Sequence, residues 1–174
     1  FIINHSIGIH PMALARFDDL KDEMVKRQIE AKTHLYQDKE EFFIDKLTEG
    51  VATIAAAFYP KDVIIRMSDF KTNEYRTLVG GDMYEPQEEN PMIGWRGASR
   101  YYSEKYKEAF GLECKAIKKV REQMGLSNVV VMVPFCRTVE ELHKVTAVMK
   151  EFGLERGSDG LEIFLMAEIK LSFQ

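Results

Sequence analysis

The sequence predicts an α/β fold in which a parallel sheet lies beneath helices. Three observations carry that prediction. The first is a set of three short apolar runs, Val63-Ile64-Ile65, Val129 to Val133 and Ile163 to Ala167, each followed within a few residues by a charged residue. An alternating strand would send every second side chain into water, whereas near-continuous apolar runs fit strands covered on both faces. The second is helical periodicity between the runs, the strand–helix–strand rhythm of α/β proteins. The third is the position of the charges: Arg66, Arg137 and Glu168 fall at or beyond strand carboxyl ends, where α/β barrels and open sheets place their chemistry.

Bulk composition sets the outer bounds. The chain has 174 residues, 45% hydrophobic and 30% charged, with a net charge of −4. One globular domain with a substantial core is expected. A mixed, mildly acidic surface points away from nucleic acid and from anionic membranes. No apolar run approaches the ~20 residues of a membrane helix, and Phe1 to His5 does not read as a signal peptide. The two cysteines, Cys114 and Cys136, lack metal spacing and suit a reducing cytoplasm. The four histidines, His5, His10, His34 and His143, form no metal-spaced pair.

Taken in order, Phe1-Ile2-Ile3 reads as extended, as if a strand had been cut into. Gly8 and Pro11 break the backbone, and a polar, helix-prone region follows from about Met12 to Lys32. A helix is predicted from Lys39 to Phe58, with Phe43, Leu47, Val51, Ile54 and Phe58 as its apolar face, closed by Pro60. The strand at 63–69 begins at once. The stretch from Phe70 to Ser99, rich in Gly, Pro, Asn and Glu, reads as a long functional loop with a turn at Gly80-Gly81. A further helix starts near Ser103, buries Tyr106, Phe110, Cys114, Ile117, Val120 and Met124, and ends at Gly125. After the strand at 129–133, Thr138 to Glu141 supplies a capping box for a helix that faces the core through Leu142, Val145, Val148, Met149 and Phe152. The last strand runs into Glu168. No repeat, low-complexity tract or linker interrupts the chain.

Right-handed crossovers would put the ends of three parallel strands on one side of the sheet. There a guanidinium suits a small anion and a carboxylate suits a hard cation, with Glu168 ligating magnesium and the substrate completing the shell. Each has a plainer reading as well: Arg66 in a surface salt bridge, and Glu168 in an ion pair with a neighbouring strand's arginine. Arg96 stands between Gly94 and Gly97, whose small size lets an anion approach a bidentate guanidinium. Trp95 fits core packing as well as a site. Arg137 fits either a strand-end site or a helix-cap salt bridge with Glu140 or Glu141.

Four longer motifs point further. They are Ile7-Gly8-Ile9-His10-Pro11, Ile65 to Tyr75 (IRMSDFKTNEY), Glu89 to Tyr101 (ENPMIGWRGASRY) and Val131 to Phe135 (VMVPF). From the first residue to about Ile169 the chain closely resembles the C-terminal, PEP/pyruvate-binding barrel of the phosphoenolpyruvate synthase (pyruvate, water dikinase) family. Pyruvate phosphate dikinase and enzyme I of the sugar phosphotransferase system are more distant relatives.

The resemblance implies a partial (β/α)8 TIM barrel over residues 1–169 and a divergent or truncated tail at 170–174. It implies a cytoplasmic, magnesium-dependent kinase-type transferase of gluconeogenesis. That enzyme converts ATP, pyruvate and water to AMP, phosphoenolpyruvate and phosphate. A phosphohistidine on a separate swivelling domain carries the phosphoryl group, and ATP binds outside this segment. By the same resemblance Arg66 and Arg96 are catalytic and bind substrate. Asp69 orients Arg66, Lys71 and Asn73 line the loop above it, and Glu168 binds both substrate and Mg2+. Several family features have no counterpart in this sequence: the first substrate arginine, the Asn-Asp pair with a second metal carboxylate, the protonating cysteine and the swivelling histidine. The family's Pro-Ser-Asn after the metal carboxylate is replaced by Lys170 to Ser172. About half a barrel is expected, inactive by itself, with unpaired edge strands that favour homo-oligomers. The alternatives are another PEP-utilising enzyme of the dikinase or phosphotransferase type, or a non-catalytic binding or assembly module.

Overall fold

Three strands, β1 (Val63–Arg66), β2 (Val129–Val133) and β3 (Ile163–Leu165), pair in parallel in the order β1-β2-β3. This computed structural model describes residues 1–168. Ile169 and the tail expected at 170–174 lie outside the described residues. The register sets Arg66 beside Met132 and Val133 beside Leu165, so the three carboxyl ends form one edge. Closing a barrel of the expected kind takes eight strands. Among the described residues there are three, in an open sheet, plus one isolated bridge between Ile9 and Val79.

Helices supply the connections and the cover. Along the chain they are α1 (Pro11–Ala15), α2 (Glu23–Lys32), α3 (Lys39–Phe58), α4 (Thr72–Arg76), α5 (Ala98–Tyr101), α6 (Lys107–Lys118) and α7 (Val139–Glu151). Asp22, Asp38 and Thr138 each cap a helix by accepting a backbone N–H, which satisfies donors that no helical carbonyl can reach. Helices α3 and α6 pack together over one side of the sheet, burying Phe43, Val51, Phe110, Cys114 and Ile117 with Val129 and Val131. Both cysteines are free. Among the described residues no helix is long and apolar enough to cross a membrane.

Several expectations are corrected. The N-terminal run is not a strand: Ile3–Ile7 winds into a wide helical turn that buries Ile3 and Ile7 and ends at Gly8 with φ +67°. Burial of residues one turn apart outweighs the β-preference of isoleucine there. Strand β1 stops at Arg66 and is covered on one face only, with Ile64 49% exposed. Helix α3 has the expected bounds and buries Phe43, Leu47 and Val51 as expected, yet Ile54 and Phe58 are exposed, and Ile44, Thr48 and Ala55 complete its buried face. The long stretch after β1 holds α4 and α5 and is no bare loop. Helix α6 begins at Lys107, while Ser103 opens the turn before it and Met124 is exposed.

Candidate anion site at the carboxyl edge of the sheet

A cavity of about 350 Å³ opens beyond β1. Its apolar wall comes from Ile2, Ile3, Leu47, Val51 and Ile117, and its polar wall from Arg66, Ser68, Asp69, Lys71, Glu74, Arg96 and Glu113. The backbone leaves β1 at Arg66, so Met67 to Lys71 crosses the mouth as irregular chain whose groups need partners from elsewhere.

Asp69 is the anchor of the polar wall. Its side chain is 1% exposed, and it accepts from Arg96 Nε and Nη2 at 2.8 Å each, while its carbonyl accepts from Nη2 at 3.1 Å. Arg66 Nη1 lies 4.0 Å from the same carboxylate, and its side chain is 54% exposed. The expectation that Asp69 chiefly orients Arg66 is therefore revised: its close partner is Arg96. Hydrogen bonding to Asp69 is the main reason the Arg96 guanidinium holds its proton even more tightly than usual.

Arg96 is placed by the two glycines around it and by the end of β2. Gly97 takes φ +59°, and a Cβ there would stand 2.6 Å from the Pro134 carbonyl oxygen, so only glycine lets the segment lie against that turn. The Arg96 guanidinium then sits 4.4 Å from the centre of the Phe135 ring. Phe135 N–H donates to Glu168 Oε2 at 3.0 Å, which brings Glu168 to the same edge. Arg66, Asp69, Arg96 and Lys71 thus converge on the cavity, and Glu168 stands beside it through Phe135 without lining it. Asn73 faces a different surface hollow.

Arg137 resolves to the cap. Its N–H donates to Glu141 at 2.7 Å and its Nη1 lies 3.3 Å from the other oxygen. Trp95 resolves to packing: its ring stacks on the Arg100 guanidinium at 4.1 Å and meets Tyr106 edge-on.

Two buried charged groups escaped the sequence reading. Arg100, fully buried, makes a fork to Glu85 at 2.5 and 2.8 Å, and Glu85 also accepts from His10 Nε2 at 2.8 Å. Burial alone would raise the Glu85 carboxyl, but His10 and Arg100 outweigh it and pull it below the usual range. Burial keeps His10 neutral. Its Nδ1 accepts from Met12 N–H, so the proton sits on Nε2 facing Glu85. The second group is Glu113, on the buried side of α6. Burial pushes its carboxyl up to about 7, against the pull of two hydrogen bonds from Ser68. The signal for Glu113 was in the sequence: it lies three residues after Phe110 and four before Ile117, on the apolar stripe itself.

As chemistry, the site offers one half-exposed guanidinium, a second locked by a buried carboxylate, a nearby lysine and a carboxylate at the rim. That set suits a small anion with oxygens at both ends. A sequence profile described as "PEP-utilising enzyme, PEP-binding domain" matches residues 29–171. The chain is 58% identical over 170 residues to phosphoenolpyruvate synthase of Synechocystis sp. (strain ATCC 27184 / PCC 6803 / Kazusa), covering 97% of this chain and 21% of that protein. It is 52% identical over 169 residues to phosphoenolpyruvate synthase of Escherichia coli (strain K12), with 97% and 21% covered. To the probable phosphoenolpyruvate synthase of Staphylothermus marinus it is 60% identical over 133 residues, with 76% and 16% covered. The chain spans about a fifth of the length of the first two relatives.

Proposed function

Because the chain belongs to the PEP-utilising enzyme family, through its PEP-binding domain, we propose that it carries part of the pyruvate/phosphoenolpyruvate site of a phosphoenolpyruvate synthase. In this reading residues 1–169 contribute to a (β/α)8 barrel whose remaining strands pair with the open edges of β1 and β3. The phosphoryl group reaches pyruvate from a phosphohistidine on another domain, charged by ATP outside this segment.

The observation that carries the reading is the arrangement of Arg66, Asp69 and Arg96 around one cavity at the sheet's carboxyl edge. Pyruvate must become its enolate before its oxygen accepts a phosphoryl group, so negative charge builds at two ends of a small molecule. Arg66, whose nearest carboxylate among the described residues is Asp69 at 4.0 Å, grips the carboxylate and phosphoryl oxygens. Arg96, held rigid by Asp69, presents fixed positive charge that needs no reorganisation as the transfer proceeds. Lys71 adds a further cation at the mouth.

For magnesium, the residues present fit a site completed by substrate. Among the described residues no three His, Cys, Asp or Glu side chains assemble as a cage. Magnesium commonly takes one or two carboxylates, with waters and substrate oxygens filling its shell. Glu168, beside the cavity, is the carboxylate assigned to the cation in this reading, its Oε2 held by the Phe135 N–H so that the group is oriented before a cation arrives. When bound, the cation would supply Lewis-acid stabilisation of the enolate oxygen.

The test uses the full-length protein that contains this segment. With ATP, pyruvate and magnesium it is expected to form phosphoenolpyruvate, AMP and phosphate in equal amounts, while the 174-residue chain alone forms none. A requirement for added phosphate would mark a dikinase, and a requirement for a phosphocarrier protein would mark the phosphotransferase type. Either result overturns the synthase assignment.

A further inference from the structure

Glu113 is a buried acid that the site described above leaves without a task. It lines the cavity from α6 and is 3% exposed. Its carboxylate takes hold of Ser68 twice: Oε2 accepts the backbone N–H at 2.9 Å, and Oε1 accepts the hydroxyl. The Ser68 hydroxyl in turn accepts from Tyr75 at 2.7 Å, and the Tyr75 hydroxyl accepts from Tyr106 at 2.5 Å. The Ser68 carbonyl accepts from Tyr101 at 2.6 Å, whose ring stacks on Phe110 at 4.1 Å. Every polar group of Ser68 is therefore tied down, midway between Arg66 and the chain leading to Lys71.

We propose that Glu113 is a positioning residue for substrate binding: by gripping both the amide and the hydroxyl of Ser68 it fixes how the chain leaves β1, and so sets Arg66 and the Asp69–Arg96 pair against the cavity. The proposal rests on reading that cavity as the pyruvate/phosphoenolpyruvate site. Packing alone would be served by leucine or methionine at this point of the stripe, since burying a carboxyl without return is unfavourable.

The groups around Glu113 explain how the grip survives a proton. Ser68 and Asp69 stand at the end of β1, Tyr75 on α4, Arg100 and Tyr101 on α5, and Tyr106 and Cys114 at the start of and within α6. The neighbouring wall from α3, Leu47 and Val51, is apolar. When Glu113 is protonated it donates to Ser68 Oγ, while Oε2 still accepts the amide. Glutamine reproduces that pattern, with its oxygen on the Ser68 N–H and its NH2 on Ser68 Oγ. Leucine reproduces neither bond.

The experiment is steady-state kinetics on the full-length protein, varying pyruvate and ATP separately. Glu113→Leu is expected to raise KM for pyruvate by about tenfold or more while KM for ATP stays within about twofold, and Glu113→Gln is expected to restore KM for pyruvate to within about threefold of wild type. Ser68→Ala, which removes the hydroxyl bonds to Glu113 and Tyr75 but keeps the amide bond and the packing, is expected to raise KM for pyruvate by a few fold. Unchanged pyruvate KM in both Glu113→Leu and Ser68→Ala overturns the proposal, as does equal damage from leucine and glutamine. If Glu113→Leu does not fold, Ser68→Ala alone decides. Wild-type protein that forms no phosphoenolpyruvate overturns the functional reading itself, whereas active wild type with indifferent variants overturns only the role of Glu113.

Discussion

Asp69 holds Arg96 by two 2.8 Å bonds and stands 4.0 Å from Arg66, so one buried carboxylate locks one arginine and holds the other only loosely. A rigid cation and an adaptable one beside the same cavity divide the work of binding: Arg96 supplies fixed field, and Arg66 closes on the ligand.

Replacing the anchor separates these roles. Asp69→Ala leaves the Arg96 guanidinium without its fork and removes the charge that offsets it. Pyruvate KM is expected to rise about tenfold in the full-length protein, with stability falling by about 2 kcal/mol or more as a buried charged hydrogen-bond partner is lost. Asp69→Asn, which keeps an acceptor but no charge, is expected to lie between. Urea unfolding and pyruvate titrations check both.

The backbone at Gly97 is a second lever on Arg96. A methyl group there meets the Pro134 carbonyl oxygen at 2.6 Å and must adopt φ +59°. Gly97→Ala is expected to cost about 1–3 kcal/mol and to weaken pyruvate binding, because the segment carrying Arg96 has to lift off the β2 turn. A wild-type unfolding midpoint would show that the contact relaxes without cost.

Protonation of Glu113 makes a pH prediction with a definite sign. Its folded-state value, about 7, lies above the ordinary carboxyl value of 4.5, so between these limits the folded chain binds more protons than the unfolded one. Stability from this group is complete below the lower value, declines as pH rises through the window and is flat above it. The loss is roughly 3 kcal/mol across the window. Glu113→Gln removes the titration, and its unfolding free energy is expected to lose this fall with pH, gaining on wild type from pH 5 to 8. Parallel wild-type and variant curves would contradict it.

The buried Glu85–Arg100 pair makes a prediction about stability alone. Arg100→Met leaves Glu85 charged and buried, with His10 as its sole remaining side-chain partner among those described. A loss of about 3–5 kcal/mol is expected, while adding Glu85→Met recovers most of it. A double variant no better than the single one would mean that the stacking of Arg100 on Tyr75, Trp95 and Tyr106, not its charge, stabilises the site.

Much of this was legible in the residues. The extents of α3 and β2 follow from periodicity and from Pro60 and Pro134; a strand end and flanking glycines point to Arg66 and Arg96, while Lys71 enters only through the family resemblance. What escaped depends on contacts distant in sequence. Periodicity cannot say which partner a carboxylate takes, and the family resemblance points from Asp69 to the near Arg66 and not to Arg96, 27 residues on. A helical turn and an extended run of β-branched residues look alike over Phe1 to Ile3, and tertiary burial of Ile7 decided between them. Glu113 carries only a weak signal, a single acid on an apolar stripe, and its bond to Ser68, 45 residues away, is invisible to local pattern.

If Arg66 is the loosely held cation that grips the substrate, Arg66→Ala in the full-length protein removes that grip. The kcat/KM for pyruvate is expected to fall by at least about 100-fold, the loss of a charge-assisted contact, with ATP binding and stability near wild type. A kcat/KM for pyruvate within a few fold of wild type would contradict it and return Arg66 to the status of a surface charge.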